Sequence, residues 1–164
     1  LSASYAIEKI AAKYGGKVIR SKTSAQDIMY KLVGSKQQEM MDQFTLYFDA
    51  IGGLVKILEF MAKNKCRLSD LVDEIPAIYM NKLEVECPWN AKGKVIREII
   101  QEHGNDMIET TEGVKIYKNG GWVLILPDAE LPICRVISES YSEEFAEELS
   151  TAYADKIREI SKNK

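Results

Sequence analysis

Between Gly113 and Ser138 the chain reads Gly-Val-Lys-Ile-Tyr-Lys-Asn-Gly-Gly-Trp-Val-Leu-Ile-Leu-Pro-Asp-Ala-Glu-Leu-Pro-Ile-Cys-Arg-Val-Ile-Ser, and no other stretch restricts the fold so tightly. Val114–Tyr117 is a short run of β-branched and aromatic residues and reads as a strand. Asn119-Gly120-Gly121 follows, and these residues tolerate the positive φ of a hairpin turn. Trp122–Leu126 is a second apolar strand. Pro127 and Pro132 fence the next loop, because proline has no N–H to donate to a sheet ladder. Ile133–Ser138 is the third strand, and the spacing predicts an antiparallel meander. The Pro-Asp-Ala-Glu-Leu-Pro loop is held at both ends and is the first place to look for a bound ligand.

The chain has 164 residues, room for one ordinary domain or two small ones, and its 46% apolar content supports a core. The formal net charge of −3 gives no global field for nucleic acid or an anionic membrane, so neither is expected as a partner. Cys66, Cys87 and Cys134 lie far apart and make no C-x-x-C pair, which suits reduced thiols in a cytoplasmic protein. No apolar run approaches the roughly 20 residues that a membrane span needs, and no signal peptide is recognisable. Leu1-Ser2-Ala3-Ser4 leads straight into a helical pattern without an initiator methionine, so a piece of a longer chain is expected.

Ser4 caps a predicted helix with Ile7, Ile10, Ala11 and Tyr14 on one stripe, stopped by Gly15-Gly16. Lys17–Arg20 is a predicted strand. Ser24 caps a second helix carrying Ile28, Met29 and Leu32. Helix, strand and helix in this order read as an α/β layer. Gly34–Asp42 shows no clear period and reads as loop, and Gln43–Phe48 as extended. Asp49 opens a strong helix with Ile51, Leu54, Val55, Leu58, Met61 and Ala62 expected to point inward, ending at Asn64. Ser69 caps a short helix through Ile75, closed by Pro76.

Leu83–Cys87 alternates at period two and predicts a strand. Pro88-Trp89-Asn90 leads into a helix with Ala91, Val95, Ile96, Ile99 and Ile100 on one face, stopped at Gly104. After the meander, Ser142 caps a last helix whose stripe is Phe145, Leu149, Ala152, Tyr153, Ile157 and Ile160, with Lys162 and Lys164 at its C-terminal end. The second half is therefore predicted to be β-α-β-β-β-α, two helices on one face of an antiparallel sheet. The boundary is placed near Asn81, giving domains 1–81 and 82–164.

These segments resemble the α-D-phosphohexomutase family, the phosphomannomutases and phosphoglucomutases. The stretch from Leu1-Ser2-Ala3-Ser4 to Thr23 resembles the opening of the family's third domain, and Asp49-Ala50-Ile51 with Leu68-Ser69-Asp70-Leu71 resembles later segments of it. Val85–Val95 looks like the entry to the fourth domain, in particular that of mutase-like domains fused to a mannose-1-phosphate guanylyltransferase. Gly113-Val-Lys-Ile-Tyr and Gly121-Trp-Val-Leu-Ile-Leu-Pro are the most specific matches. The resemblance implies part of a three-layer α/β domain, followed by a TATA-binding-protein-like antiparallel sheet with two helices.

It also implies a site. Family mutases use a phosphoserine and an Asp-rich loop for Mg²⁺, both expected in domains that precede Leu1. No catalytic residue, metal ligand or cofactor is therefore expected in this chain itself. The family's sugar loop, Gly-Glu-x-Ser/Asn-Gly, belongs within Gly34–Phe44, which has no such motif. Its phosphate loop, Arg-Pro-Ser-Gly-Thr-Glu-Pro, lines up without a gap onto Leu126-Pro-Asp-Ala-Glu-Leu-Pro132. Both prolines are kept, but Leu126, Asp128, Ala129 and Glu130 replace arginine, serine, glycine and threonine. A phosphate dianion needs donors and positive charge. Carboxylates about 4–6 Å away would each repel it by roughly 1 kcal/mol or more. Arg135 is the nearest guanidinium in sequence. Lys22 matches a lysine that contacts ligand in family mutases, and Arg20 and Thr23 fit the pattern beside it.

Each of these residues has a blander reading. Lys22 follows a predicted strand, where lysine is commonly solvated. Asp128 and Glu130 are two apart and would share a face of extended backbone, either as part of a cation site or as a solvated loop tip. His103, the only histidine, stands at a helix end without an obvious nucleophile or metal partner. Trp89 and Trp122 read as core, and Lys92, Lys94 and Arg97 as the wet face of a helix. Three functional readings follow. In the first, the chain is the C-terminal half of a phosphohexomutase-like protein of sugar-phosphate metabolism, with degenerate phosphosugar loops and no activity alone, its partners being the missing N-terminal domains and a hexose phosphate. In the second, the whole protein is an active mutase that binds phosphate through Lys22 and Arg135. In the third, the last domain is an interaction or dimerisation module of a sugar-nucleotide synthase, forming a homo-oligomer.

Overall fold

The structure is a computed structural model that describes residues 2–34, 38–104 and 106–162, with 38–41 by backbone alone. The chain divides into two compact units, Glu8–Pro76 and, as the other, Ser2–Ile7 with Ala77–Lys164.

The described part of the first unit is built of helices: most of α1 (Ala6–Lys13), then α2 (Ala25–Gly34), α3 (Gln38–Phe48), α4 (Ala50–Asn64) and α5 (Leu68–Asp73). Three caps act as read from the sequence. Ser4 Oγ accepts from the Ala6 N–H at 3.0 Å, Ser24 Oγ from the Asp27 N–H at 3.2 Å, and Asp49 Oδ1 from the Gly52 N–H at 2.9 Å. Several expectations are corrected. Lys17–Arg20 is not a strand, since four residues without a neighbouring strand have no ladder to join. Residues 38–48, read as loop and extended chain, form α3, where Phe44 and Phe48 meet at 5.0 Å in an i, i+4 pair. Residues 35–37 of the expected loop lie outside the described residues. The short helix α5 starts after Arg67, so Ser69 is inside it rather than its cap. The stripe of α4 does not point inward: Ile51, Leu54, Val55 and Leu58 are 78%, 57%, 58% and 54% exposed. Among the described residues of this unit, no sheet lies over that stripe.

The second unit carries the sheet. Its elements are β1 (Tyr79–Glu86), α6 (Trp89–Glu102), β2 (Ile108–Glu109), β3 (Val114–Lys118), β4 (Gly121–Pro127), β5 (Ile133–Ser140) and α7 (Glu143–Lys162). The order across the sheet is β1-β5-β4-β3-β2, with every neighbouring pair antiparallel. The meander β3-β4-β5 is the predicted one, and β2 is an addition too short to show a period. Alternate residues of the strands, among them Val85, Val114, Ile116, Val123, Ile125 and Val136, form a core with Val95 and Ile99 of α6 and Tyr153 and Ile157 of α7. In α7 the buried position next to Tyr153 is Ala154 rather than Ala152, and Phe145 is only half-buried. Lys164 lies outside the described residues. On the opposite face Trp122, Leu124, Ile137 and Glu139 are also buried. There the Glu139 carboxylate accepts from the Tyr5 N–H at 2.9 and 3.1 Å and from Trp122 Nε1 at 2.8 Å, which fixes the start of α1 to the sheet.

Candidate functional site

The β4–β5 hairpin ends in the Asp128–Pro132 loop. Leu126 pairs with Arg135 and Pro127 with Cys134 across the ladder, and the Asp128 N–H donates to the Ile133 carbonyl at 3.0 Å. At the other end of the loop, the Pro132 carbonyl accepts from the Cys87 N–H at 2.8 Å. The loop is thus tied at both ends to the sheet and its β1 edge.

Asp128 does not sit at a solvated tip. It is 9% exposed, whereas Glu130 is exposed, so the two carboxylates do not share a face. The Asp128 side chain turns back on its own loop. Its Oδ1 accepts from the N–H groups of Glu130 and Leu131, each at 2.8 Å. Its Oδ2 lies 2.6 Å from Nη2 of Arg135. The two amides, with the guanidinium behind them, hold the Asp128 carboxyl below its ordinary value of 3.8 despite burial. Arg135 also reaches Glu84 of β1, Nε to Oε1 at 3.3 Å.

Lys92 braces the same loop from α6. It is buried rather than on a wet face, because its ammonium reaches under the loop and donates to the carbonyls of Asp128 at 2.6 Å and Leu131 at 2.5 Å. The Trp89 ring covers the ammonium at 3.5 Å from its centroid, while staying 55% exposed rather than entering the core. Trp122 is buried as expected. Lys94 pairs with Glu98 and Arg97 is exposed.

The other candidates lie in the first unit. Arg20 makes a double ion pair with Glu8, Nε to Oε1 and Nη2 to Oε2, both at 2.7 Å. Lys22 has an exposed side chain, while its backbone N–H donates to Asp27 at 2.9 Å. Thr23 is half-buried next to it. Among the described residues, no three His, Cys, Asp or Glu side chains gather as metal ligands would.

A second polar cluster escaped the sequence. His103 caps α6, and its Nδ1 lies 2.7 Å from Asp106 Oδ2 while its Nε2 lies 2.9 Å from the Tyr153 hydroxyl. Asp106 accepts only, so Nδ1 carries a proton toward it, and in the neutral ring Nε2 accepts from Tyr153. Lys118 Nζ also meets Asp106, at 2.8 Å. Burial pushes the Tyr153 hydroxyl up to about 12. A helix-ending histidine gave no sign of a partner 50 residues away.

No family model matches the chain. Curated relatives do. A phosphoglucomutase/phosphomannomutase of Thermococcus kodakarensis is 31% identical over 158 residues, 90% of this chain and 34% of that relative. A phosphoglucosamine mutase of Methanococcus maripaludis is 30% identical over 161 residues, 91% of this chain and 36% of the relative. The chain belongs to the phosphohexomutase family. A phosphopentomutase of Thermococcus kodakarensis is 32% identical over 127 residues, 73% of this chain and 26% of the relative. The chain spans about a third of the length of the first two. In this phosphohexomutase chain the loop between β4 and β5 has Pro127 before it and Pro132 at its end, and is anchored through the Asp128 N–H and the Pro132 carbonyl. Leu126 and Arg135 are ladder partners, so the guanidinium beside the loop stands on β5.

Proposed function

We propose that the chain is the C-terminal half of a phosphohexomutase-like protein of sugar-phosphate metabolism, with a phosphate loop that no longer grips the substrate phosphate and no turnover by itself. One observation carries this reading: the donors of the loop are taken by the chain's own Asp128 carboxylate. A phosphate dianion meeting the loop would have to displace a carboxylate that is covalently attached and already paired. The substrate class is an aldose phosphate, in keeping with the names of the relatives, and the chemical step and any Mg²⁺ belong to domains outside this chain. A mannose-1-phosphate guanylyltransferase fusion is one setting for such a module, and the cytoplasm its compartment. No helix among the described residues is long and apolar enough to cross a membrane.

A second reading is that the whole protein is a working mutase. The cross-strand guanidinium of Arg135 favours it, because positive charge is kept beside the loop. The test is an isomerisation assay with glucose 1-phosphate and mannose 1-phosphate, run on this chain and on the whole protein. The expected result is no turnover by the chain. Turnover by the chain alone sinks the first reading, and loss of the whole protein's activity in Arg135→Ala would support the second.

A further inference from the structure

We propose that the β1 edge of the sheet is an interface between two copies of this chain, in which β1 pairs antiparallel with itself about a two-fold axis at Leu83. In the order β1-β5-β4-β3-β2 the strand β1 has a neighbour on one side only. It is the long edge, Tyr79–Glu86, against Ile108–Glu109 at the other side. The register to β5 tells which main-chain groups are taken. Val85 stands opposite Cys134, which puts Cys87 opposite Pro132, and the Cys87 N–H does donate to the Pro132 carbonyl. In an antiparallel ladder such bonded pairs recur at every second residue, so Tyr79, Asn81, Leu83 and Val85 turn their N–H and C=O to β5. Met80, Lys82, Glu84 and Glu86 turn theirs outward. The Lys82 N–H agrees with this, donating to the Asn81 side chain at 2.9 Å rather than to β5. Lys82, Glu84 and Glu86 are exposed. An open edge of this kind is a template for a further strand.

The charges select a second copy of the same strand as the partner. Only registers that set even-numbered residues against even-numbered ones bring the outward groups of two copies together. The register centred on Leu83 pairs the whole edge. It places Lys82 opposite Glu84 of the second copy and, by symmetry, Glu84 opposite Lys82, while Met80 faces Glu86. The next such register on either side sets Lys82 against its own copy or Glu84 against its own, and like charges directly opposite destabilise a pair. An edge carrying one sign of charge would repel its copy, whereas this one complements it. On the axis the partly buried Leu83, which packs against the core, meets Leu83 of the second copy. Every contact in such an interface occurs twice. Two features oppose the pairing. Asn81 must release the Lys82 N–H, and the Glu84 carboxylate is shared with Arg135, 3.3 Å away. The pairing does not depend on how the β4–β5 loop treats phosphate.

The test is sedimentation equilibrium of the full chain from about 10 µM to about 1 mM at low salt, where charge pairs are screened least. A monomer–dimer equilibrium is expected for the wild type. Lys82→Glu and Glu84→Lys, each alone, are expected to weaken it at least about tenfold, since each sets like charges opposite one another at both symmetric places. An equimolar mixture of the two variants is expected to dimerise as well as wild type, because every reversed position then meets an opposite charge. Amide exchange at Met80, Glu84 and Glu86 of the wild type is expected to slow as the dimer forms. A wild type that stays monomeric across the range overturns the proposal. So does a dimer that both single variants keep, or a mixture that stays monomeric although each variant folds. Unslowed exchange at these three amides in a wild-type dimer overturns it whatever the variants do, including a variant that fails to fold.

Discussion

Arg135 and Asp128 face each other across the mouth of the β4–β5 hairpin, guanidinium to carboxylate at 2.6 Å, with the carboxylate's other oxygen on two backbone amides. The pair lets the hairpin close without any ligand. It also sets a pH dependence. The carboxyl is lowered in the folded chain, first by the Glu130 and Leu131 amides and then by Arg135 and Lys92. A lowered carboxyl contributes stability that is fully present above its ordinary value of 3.8 and is lost as pH falls through the folded value below it. The Glu130 and Leu131 amide signals should therefore stay constant from neutral pH down to the ordinary carboxylate range and move only in stronger acid. Release of these amides near neutral pH would contradict the pairing.

Lys92→Met keeps an apolar stem and removes the ammonium. Two carbonyls then lose their donor, which costs about 1–3 kcal/mol for a buried group left unsatisfied. Urea unfolding of the chain is expected to show a lowered midpoint for the sheet unit, and Trp89 fluorescence should change because its cation partner is gone. A midpoint equal to wild type would mean that the brace is ornamental.

The His103–Tyr153 contact should behave as a coupled pair. His103→Phe removes the acceptor for Tyr153 and the donor for Asp106, an expected loss of about 1–3 kcal/mol. In a double-mutant cycle with Tyr153→Phe, a coupling of about 0.5–3 kcal/mol is expected for groups in contact. Additive losses would show that the 2.9 Å contact contributes nothing in solution.

Two glycines are fixed by close approach. At Gly113, with φ +68°, an added Cβ would meet the Ile125 carbonyl oxygen at 2.1 Å, and at Gly121 it would meet the Glu139 carbonyl oxygen at 2.3 Å. Both alanine variants are expected to lose more than about 2 kcal/mol of stability by thermal or urea unfolding. Gly104→Ala, where the nearest atom would lie at an ordinary 3.6 Å, is the control and should stay within about 0.5 kcal/mol.

The meander was legible because its signals are local: period-two apolar runs, a glycine turn, and prolines at the loop ends. The caps at Ser24 and Asp49 were legible for the same reason, one side chain and one amide three residues on. What stayed hidden depends on partners distant in sequence. Lys92 looks solvated on a helical wheel, and the carbonyls that bury it lie 36 and 39 residues downstream. Phe44, Leu46 and Phe48 alternate like a strand, but the Phe44–Phe48 contact is a helical one. The α4 stripe was rightly seen as apolar. An amphipathic pattern names a face but not what lies against it, and Ile51, Leu54, Val55 and Leu58 stay more than half exposed. At the candidate site the two carboxylates between Pro127 and Pro132 could be read directly. That Asp128 would turn inward and take up the loop's own amides could not, because its carboxylate reads equally well as solvated.

Crystals of the wild-type chain soaked with glucose 1-phosphate put the central claim to the most direct test. The expected map keeps the Asp128 carboxylate on the Glu130 and Leu131 amides, with no phosphoryl group in the hairpin. Phosphoryl oxygens seated on those amides, with Asp128 swung away, would contradict it.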